Sequence, residues 1–329
     1  MLNTELKDGF VRQFSESESV RHRCYSVFAR LGDFEDKLGK DVYEFTDREM
    51  TDVLAQTSGL RRSTQYQTIR IINEYLKWAR SNGINVVCNT VSEGDEDVVQ
   101  NYRKKMVFGV EHLSRLFSAI FGTSGGDGSY IIFRCYLWLA FVGIDFEDAY
   151  ELRTRDVDTD YMRVLVKGRE YPLYKESIPD FKSAKELTAF RLPNHLYPDK
   201  VTIVDREDGD RLLRRMKKAT NADAGDPANT VGSTIRRYVR DAVCGKKLAV
   251  TNTLTYSNVK LSGLFYRMYL REEMGFPVDF KLIAEMDIAN DDISGRRRIA
   301  KKSRIVAGYK EDYAVWKRAY ELYRKDSHL

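Results

Sequence analysis

The apolar positions of the front half fall at helical spacing. Ile69, Ile72, Leu76 and Ala79 form one stripe, widened by Tyr75 and Trp78, and predict a helix over 60–82 that Gly83 ends. Ahead of it, Thr46, Asp47, Arg48 and Glu49 have the composition of a capping box, opening a helix that stops near Gly59. Helical patches around Phe10-Val11 and from Cys24 to Leu31 flank the Ser/Glu-rich stretch 15–19. Residues 86–99, which include SEGDEDVV, are acidic and without period, and predict a linker. Val110, Leu113, Phe117 and Ile120 predict an amphipathic helix, and the run from Leu137 to Val142 a buried one closed by Gly143. FEDAYEL then reads as a short helix. Met162, Val164 and Val166 alternate as a strand does, Lys167-Gly168 makes a turn, and Tyr171-Pro172-Leu173 is the return strand. Residues 174–210 show no single period and hold three of the six prolines. A basic helix follows over 234–243. Tyr313, Trp316, Tyr320 and Tyr323 recur at helical spacing, predicting a last helix that packs in a groove.

Length and charge narrow the class. A chain of 329 residues with 43% hydrophobic content predicts two globular domains. No stretch approaches the ~18 consecutive apolar residues of a membrane helix, and the N-terminus has no signal-peptide core. No membrane partner and a cytoplasmic location are expected. Cys24, Cys88, Cys135 and Cys244 stand far apart without metal-ligand spacing, so free thiols are expected, with no metal and no cofactor. GTSGGDGS at 122–129 lacks the Gly-Lys-Ser/Thr ending of a phosphate loop and reads as an interhelical loop. The net charge of +5 is uneven: residues 1–100 carry 13 Lys/Arg against 17 Asp/Glu. The basic excess therefore lies entirely in the remainder, which suits a polyanionic partner.

The order helix, sharp turn, short helix, basic hairpin resembles the first half of the catalytic domain of tyrosine recombinases of the phage-integrase type. In that family a helix ends in Gly-Leu-Arg, a short helix carries an acid three residues on, and Leu-Arg-Trp-x-Asp-hydrophobic-Asp precedes a hairpin bearing a lysine. Gly143-Ile144-Asp145, Asp148, Leu152-Arg153, Asp156-Val157-Asp158 and Lys167-Gly168 fall into that register without a gap. The helices ending in YLKWARSNGI are similar to the family's core-binding domain. TNTLTYSNVKLSGLFYRMYLREEMG resembles its second motif, with Ser257 at the histidine and Lys260 at the arginine. The resemblance implies a mainly α fold with a small β-hairpin or sheet, built as a two-domain clamp. Its parts are a helical, SAM-like core-binding domain over 1–90, a linker over 91–105 and a catalytic-like domain over 106–329.

The resemblance also implies that the chemistry is lost. Asp145 stands where the family has its first catalytic arginine. A charge 4 Å from a phosphate oxygen contributes ~4 kcal/mol at an effective dielectric of 20, so exchanging attraction for repulsion raises the barrier steeply. Of the four histidines, His22, His112, His195 and His328, none lies between 196 and 327, where two family motifs expect one. The degenerate positions are Asp145, Lys167, Ser257, Lys260 and Tyr309, and no strand-transfer activity is expected.

The expectation is a sequence-specific double-stranded DNA-binding repressor that maintains phage lysogeny, associated with the nucleoid of a bacterial host. The alternatives are an active integrase using Lys167, Lys260, Arg267 and Tyr309 or Tyr313, and an architectural DNA-bending protein. The candidate DNA contacts are Arg61, Arg62, Tyr66, Gln67 and Arg70 at the start of the 60–82 helix, Arg153, Arg155, Lys167 and Arg169 around the hairpin, Arg236, Arg237 and Lys260, and Arg296, Arg297, Arg298, Lys301 and Lys302 near the C-terminus. Arg and Gln at a helix start can meet both phosphates and base edges. Candidate protein partners are a second copy, through the C-terminal helix, and an anti-repressor.

Overall fold

The computed structural model describes residues 2–57, 62–89, 91–92, 95–121, 129–193, 201–205, 209–214, 227–244, 254–289 and 295–327. The chain is mainly helical with two small antiparallel sheets. It divides into two compact units, the first made of residues 1–103 and 279–325, the second of 104–278 and 326–329.

The first unit begins with α1 (Thr4–Phe14), α2 (Glu18–Leu38), α3 (Asp47–Thr57), α4 (Arg62–Ser81) and α5 (Asp95–Lys105). The Thr46 box forms as the sequence predicts. The Thr46 hydroxyl accepts from the Glu49 amide at 3.2 Å, and the Glu49 carboxylate accepts from the Thr46 amide at 2.9 Å. Ile69, Ile72, Leu76 and Ala79 are all buried, and Tyr75 joins Phe10 and Phe28 in an edge-to-face aromatic cluster.

The first unit also holds a buried ion cluster. Lys7 lies wholly buried on the same side of α1 as Phe10 and Val11, its ammonium 2.6 Å from Glu35 and 2.8 Å from Asp41. It also donates to the Leu2 carbonyl, while Tyr75 donates to the second oxygen of Asp41.

The stretch expected as a linker is ordered in two pieces. Residues 84–89 run back over α4 as a strap, and Val91 is tied to the same helix. The Val87 amide donates to the Tyr43 carbonyl, and the Asn89 amide to Asp47. Asn73 bonds both the amide and the carbonyl of Val91, at 2.8 and 2.9 Å. Arg80 reaches the carbonyls of Cys88 and Asn89. Beyond it, α5 buries Val98, Val99 and Tyr102. Its acidic start disguises a helix whose apolar side appears only from Val98 onward.

The second unit holds α6 (Val110–Phe121), α7 (Ser129–Val142), α8 (Phe146–Glu151), β1 (Val157–Asp158), β2 (Arg163–Val166), β3 (Arg169–Pro172), α9 (Ile178–Glu186), β4 (Ala189–Pro193), β5 (Val201–Asp205), α10 (Pro227–Cys244) and α11 (Tyr256–Glu273). Gly143 ends α7 as predicted, and the expected hairpin forms, with Val164 opposite Tyr171 and Val166 opposite Arg169. Lys167 and Gly168 both have positive φ, at 48° and 78°, which is what a two-residue hairpin turn of the primed type requires. Met162 is not part of the strand: it sits in the preceding turn with φ 49°, and β2 starts one residue later. The sequence did not reveal α9 or the β4–β5 hairpin, both inside 174–210.

The core of this unit is α7 packed on α11. Gly263 permits the contact, because a Cβ there would lie 1.9 Å from the Phe141 carbonyl oxygen. Around α7, Trp138 is buried against Phe117, and its indole donates to Asp180 at 2.9 Å. The 122–129 loop lies outside the described residues except for Ser129.

The chain then returns to the first unit with α12 (Phe280–Asp287) and α13 (Gly295–Asp326). The basic run and the aromatic stripe predicted near the C-terminus are one continuous helix. Tyr313, Trp316 and Tyr320 stack in sequence along it, and Tyr102 of α5 donates to its buried Asp312 at 2.8 Å.

Candidate nucleic-acid interface

Asp145, Lys167 and Lys260, three positions named by the family resemblance, are held in ion pairs in the second unit. Asp145 caps the N-terminus of α8 in an extended conformation, and Lys260, from α11, donates to its carboxylate. One helical turn on, Asp148 holds Lys167 of the hairpin at 2.6 Å. The Lys167 ammonium is held above the usual lysine range, first by that hydrogen bond and then by the charges of Asp148, Asp145 and Glu147. Ser257 is exposed, one turn before Lys260 on α11. The neighbouring Tyr256 hydroxyl donates to the Ile144 carbonyl at 2.9 Å. Four carboxylates on or beside α8, namely Asp145, Glu147, Asp148 and Glu151, thus surround the positions that the family resemblance assigns to a phosphate.

The residues of the rearranged catalytic set are engaged elsewhere. Arg267 donates to the Phe141 carbonyl and bonds Tyr174, and burial lowers its pKa. Tyr309 belongs to the first unit, is buried, and donates its hydroxyl to Asp287. Tyr313, also buried, stacks on Trp316 beside Phe280. His112 is structural: its Nδ1 accepts from the Phe108 amide at 3.1 Å, and its pKa falls to about 4, through burial first and the nearby charge of Arg115 second.

On α4 the structure sorts the predicted face cleanly. Gln65, Thr68 and Ile69 turn inward, whereas Tyr66 (51% exposed), Gln67 and Arg70 turn outward. No ion pair of Arg70 with another described residue is present. Arg62 opens the helix, but its side chain, like all of Arg61, lies outside the described residues.

The remaining predicted cations divide into two groups. Arg169, Arg236, Arg237, Arg296 and Arg297 are exposed, and so is Arg155, whose Nε lies 4.0 Å from Asp156. Arg169 lies over the Tyr171 ring at 5.1 Å and Arg237 over Tyr238 at 5.9 Å. The other group is occupied. Arg153 binds Asp210 at 3.0 Å, while Arg298, at 2.8 Å, and Lys302 share Glu285 of α12. Lys301 is half-buried. Two cations of the 296–302 run are thus clasped by an acid from the preceding helix. Sequence reasoning also missed Arg211, which grips both oxygens of Glu151 at 2.7 and 2.8 Å over the Tyr150 ring. Its partner is 60 residues away, so no local pattern announces it.

Among the described residues no helix is long and apolar enough to cross a membrane. Solved structures similar to the chain include a XerA recombinase, at 15% identity over 98% of each chain with a TM-score of 0.37. They also include the Tn1549 transposon integrase in complex with circular intermediate DNA, at 12% identity over 93% of each chain and the same TM-score. Among curated proteins no relative matches the chain. The front of the first unit does match a family model: residues 1–81, from α1 to the end of α4, are similar to the N-terminal core-binding domain of MrpR.

Proposed function

We propose that the chain is a sequence-specific double-stranded DNA-binding repressor, built on a tyrosine-recombinase-like fold whose strand-transfer centre is inactive. The observation that carries this reading is the Lys260–Asp145 ion pair. Phosphoryl transfer rests on cations held ready for a phosphate as its charge develops, and a carboxylate among them opposes that stabilisation. The engagement of Tyr309 with Asp287 supports the same reading, since a nucleophile must present its hydroxyl to the phosphate.

For binding, the support is the similarity of residues 1–81 to a core-binding domain together with the outward Tyr66, Gln67 and Arg70. Arginine and glutamine reach base edges with paired hydrogen bonds, and an aromatic ring beside them adds apolar contact. By resemblance to the master lysogeny repressor of SPβ-like Bacillus phages, the biological role assigned is maintenance of lysogeny on the host nucleoid. Pairing of two copies through α13 and release by an anti-repressor belong to the same proposal.

The test is selection of bound fragments from sheared host and prophage DNA, followed by a promoter-reporter assay on the recovered sites. Recovery of a few discrete sites, each silenced by the protein, is the expected result. Uniform recovery without silencing would point to an architectural protein instead.

A further inference from the structure

The two lysines at the degenerate centre are held by carboxylates of their own chain, and this has a consequence for binding. Lys260 is 36% exposed and Asp145 66%; Lys167 is 79% exposed. These pairs face solvent, so a phosphate can compete for each lysine. The competition is not free of consequence for the acids, however. When a phosphate takes the lysine, the carboxylate is left bare beside the DNA backbone. Ordinary lysine–phosphate contact gains from releasing condensed cations from DNA. Here that gain is set against the lost ion pair and the repulsion between carboxylate and phosphate. Glu147, between the two acids, adds repulsion of the same sign.

We propose that Asp145 and Asp148 act as an internal phosphate mimic, masking Lys260 and Lys167 so that neither contributes a phosphate contact to DNA binding. The hairpin's contribution then rests on Arg169, which lies outside the two pairs. This rests on the DNA-binding reading above and deepens it. The former catalytic centre becomes the part of the surface that limits affinity for DNA of any sequence, leaving discrimination to contacts elsewhere.

The test is the salt dependence of duplex binding by the full chain, measured for wild type, Asp145→Asn/Asp148→Asn, Lys260→Gln and a charge-matched control, Glu176→Gln/Glu186→Gln, whose acids are exposed on and before α9. Unmasking two lysines should steepen the slope of log K against log salt by about 0.9 for each lysine that gains a phosphate. It should also raise affinity at 0.1 M salt by up to roughly tenfold per lysine. The control, with the same gain in net charge, should move the slope much less, and Lys260→Gln should leave it unchanged. Asparagine keeps the capping preference at Asp145, and circular dichroism of each variant checks that it folds.

An unchanged slope in the double asparagine variant, or a slope that flattens by about one contact in Lys260→Gln, overturns the masking while leaving the DNA-binding reading intact. If wild type and every variant fail to retain any duplex, both fall together.

Discussion

Two ion-pair clusters in this protein use the same chemistry to opposite ends. In the first unit, Lys7 is sealed between Glu35 and Asp41 without solvent contact, and further hydrogen bonds from the Leu2 amide and Tyr75 complete the acids' shells. Glu35 nonetheless has a raised pKa, because desolvation outweighs the pull of Lys7. In the second unit, Lys260 and Lys167 make equally direct contacts to Asp145 and Asp148, but at the surface. Burial decides what such a pair does. A buried pair cannot exchange partners, so it fixes the N-terminus of α1 against the end of α2 and the turn at Asp41. An exposed pair adds little to stability, and its acid acts instead on what the lysine can bind.

The largest expected effect separates the two clusters directly. Lys7→Ala leaves two buried carboxylates facing each other and should lower the stability of the first unit by ~3–5 kcal/mol. Lys260→Gln should change stability by less than ~1 kcal/mol. Urea unfolding of the full chain, followed by near-ultraviolet circular dichroism, measures both. Equal losses would remove the distinction drawn here.

His112 supplies a case of burial without a counter-charge. Its pKa in the folded protein, about 4, lies below the usual 6.5, so the unfolded chain binds the proton more readily. Stability of the second unit is therefore complete above pH 6.5 and declines as pH falls toward 4, by about 3 kcal/mol in all. Below that the decline from this group levels off. His112→Gln, which keeps an acceptor near the Phe108 amide, should flatten that segment of the pH–stability curve; an unchanged slope would assign the acid sensitivity to other groups.

The exposed face of α4 extends the comparison from masked cations to an open one. Arg70→Ala should weaken binding to a selected site by ~1–3 kcal/mol while sparing random duplex. Equal loss on both would make Arg70 a phosphate contact rather than a reader. The smallest effect concerns α13. Arg296→Ala should flatten the salt slope by about 0.9, whereas Arg298→Ala, whose guanidinium is already given to Glu285, should leave it nearly unchanged.

Local patterns in the sequence carried the helices and the basic hairpin, because their signals repeat within a few residues. The α4 stripe, the Thr46 box, the Gly143 stop and the Lys167-Gly168 turn all formed where periodicity and turn chemistry put them. What escaped depends on partners distant in the chain. The places of the strap over 84–89 and of Val91 are written in Asn73, Arg80 and Asp47, none of which lies within them. Lys7 did leave a trace, since it stands three and four residues before Phe10 and Val11 on one side of α1, but its acids are 28 and 34 residues further on. The resemblance marked Asp145 and Lys260 as substitutions; only the structure joins them, across 115 residues, into one pair.

The protein is proposed to hold DNA without cutting it, and one gel experiment tests this. A nicked duplex bearing a selected site is incubated with the full chain, and halves of the sample are run under native and denaturing conditions. A retained complex in the native lane and free DNA alone in the denaturing lane are the expected result. A denaturation-resistant protein–DNA adduct that disappears in Tyr309→Phe or Tyr313→Phe would contradict it.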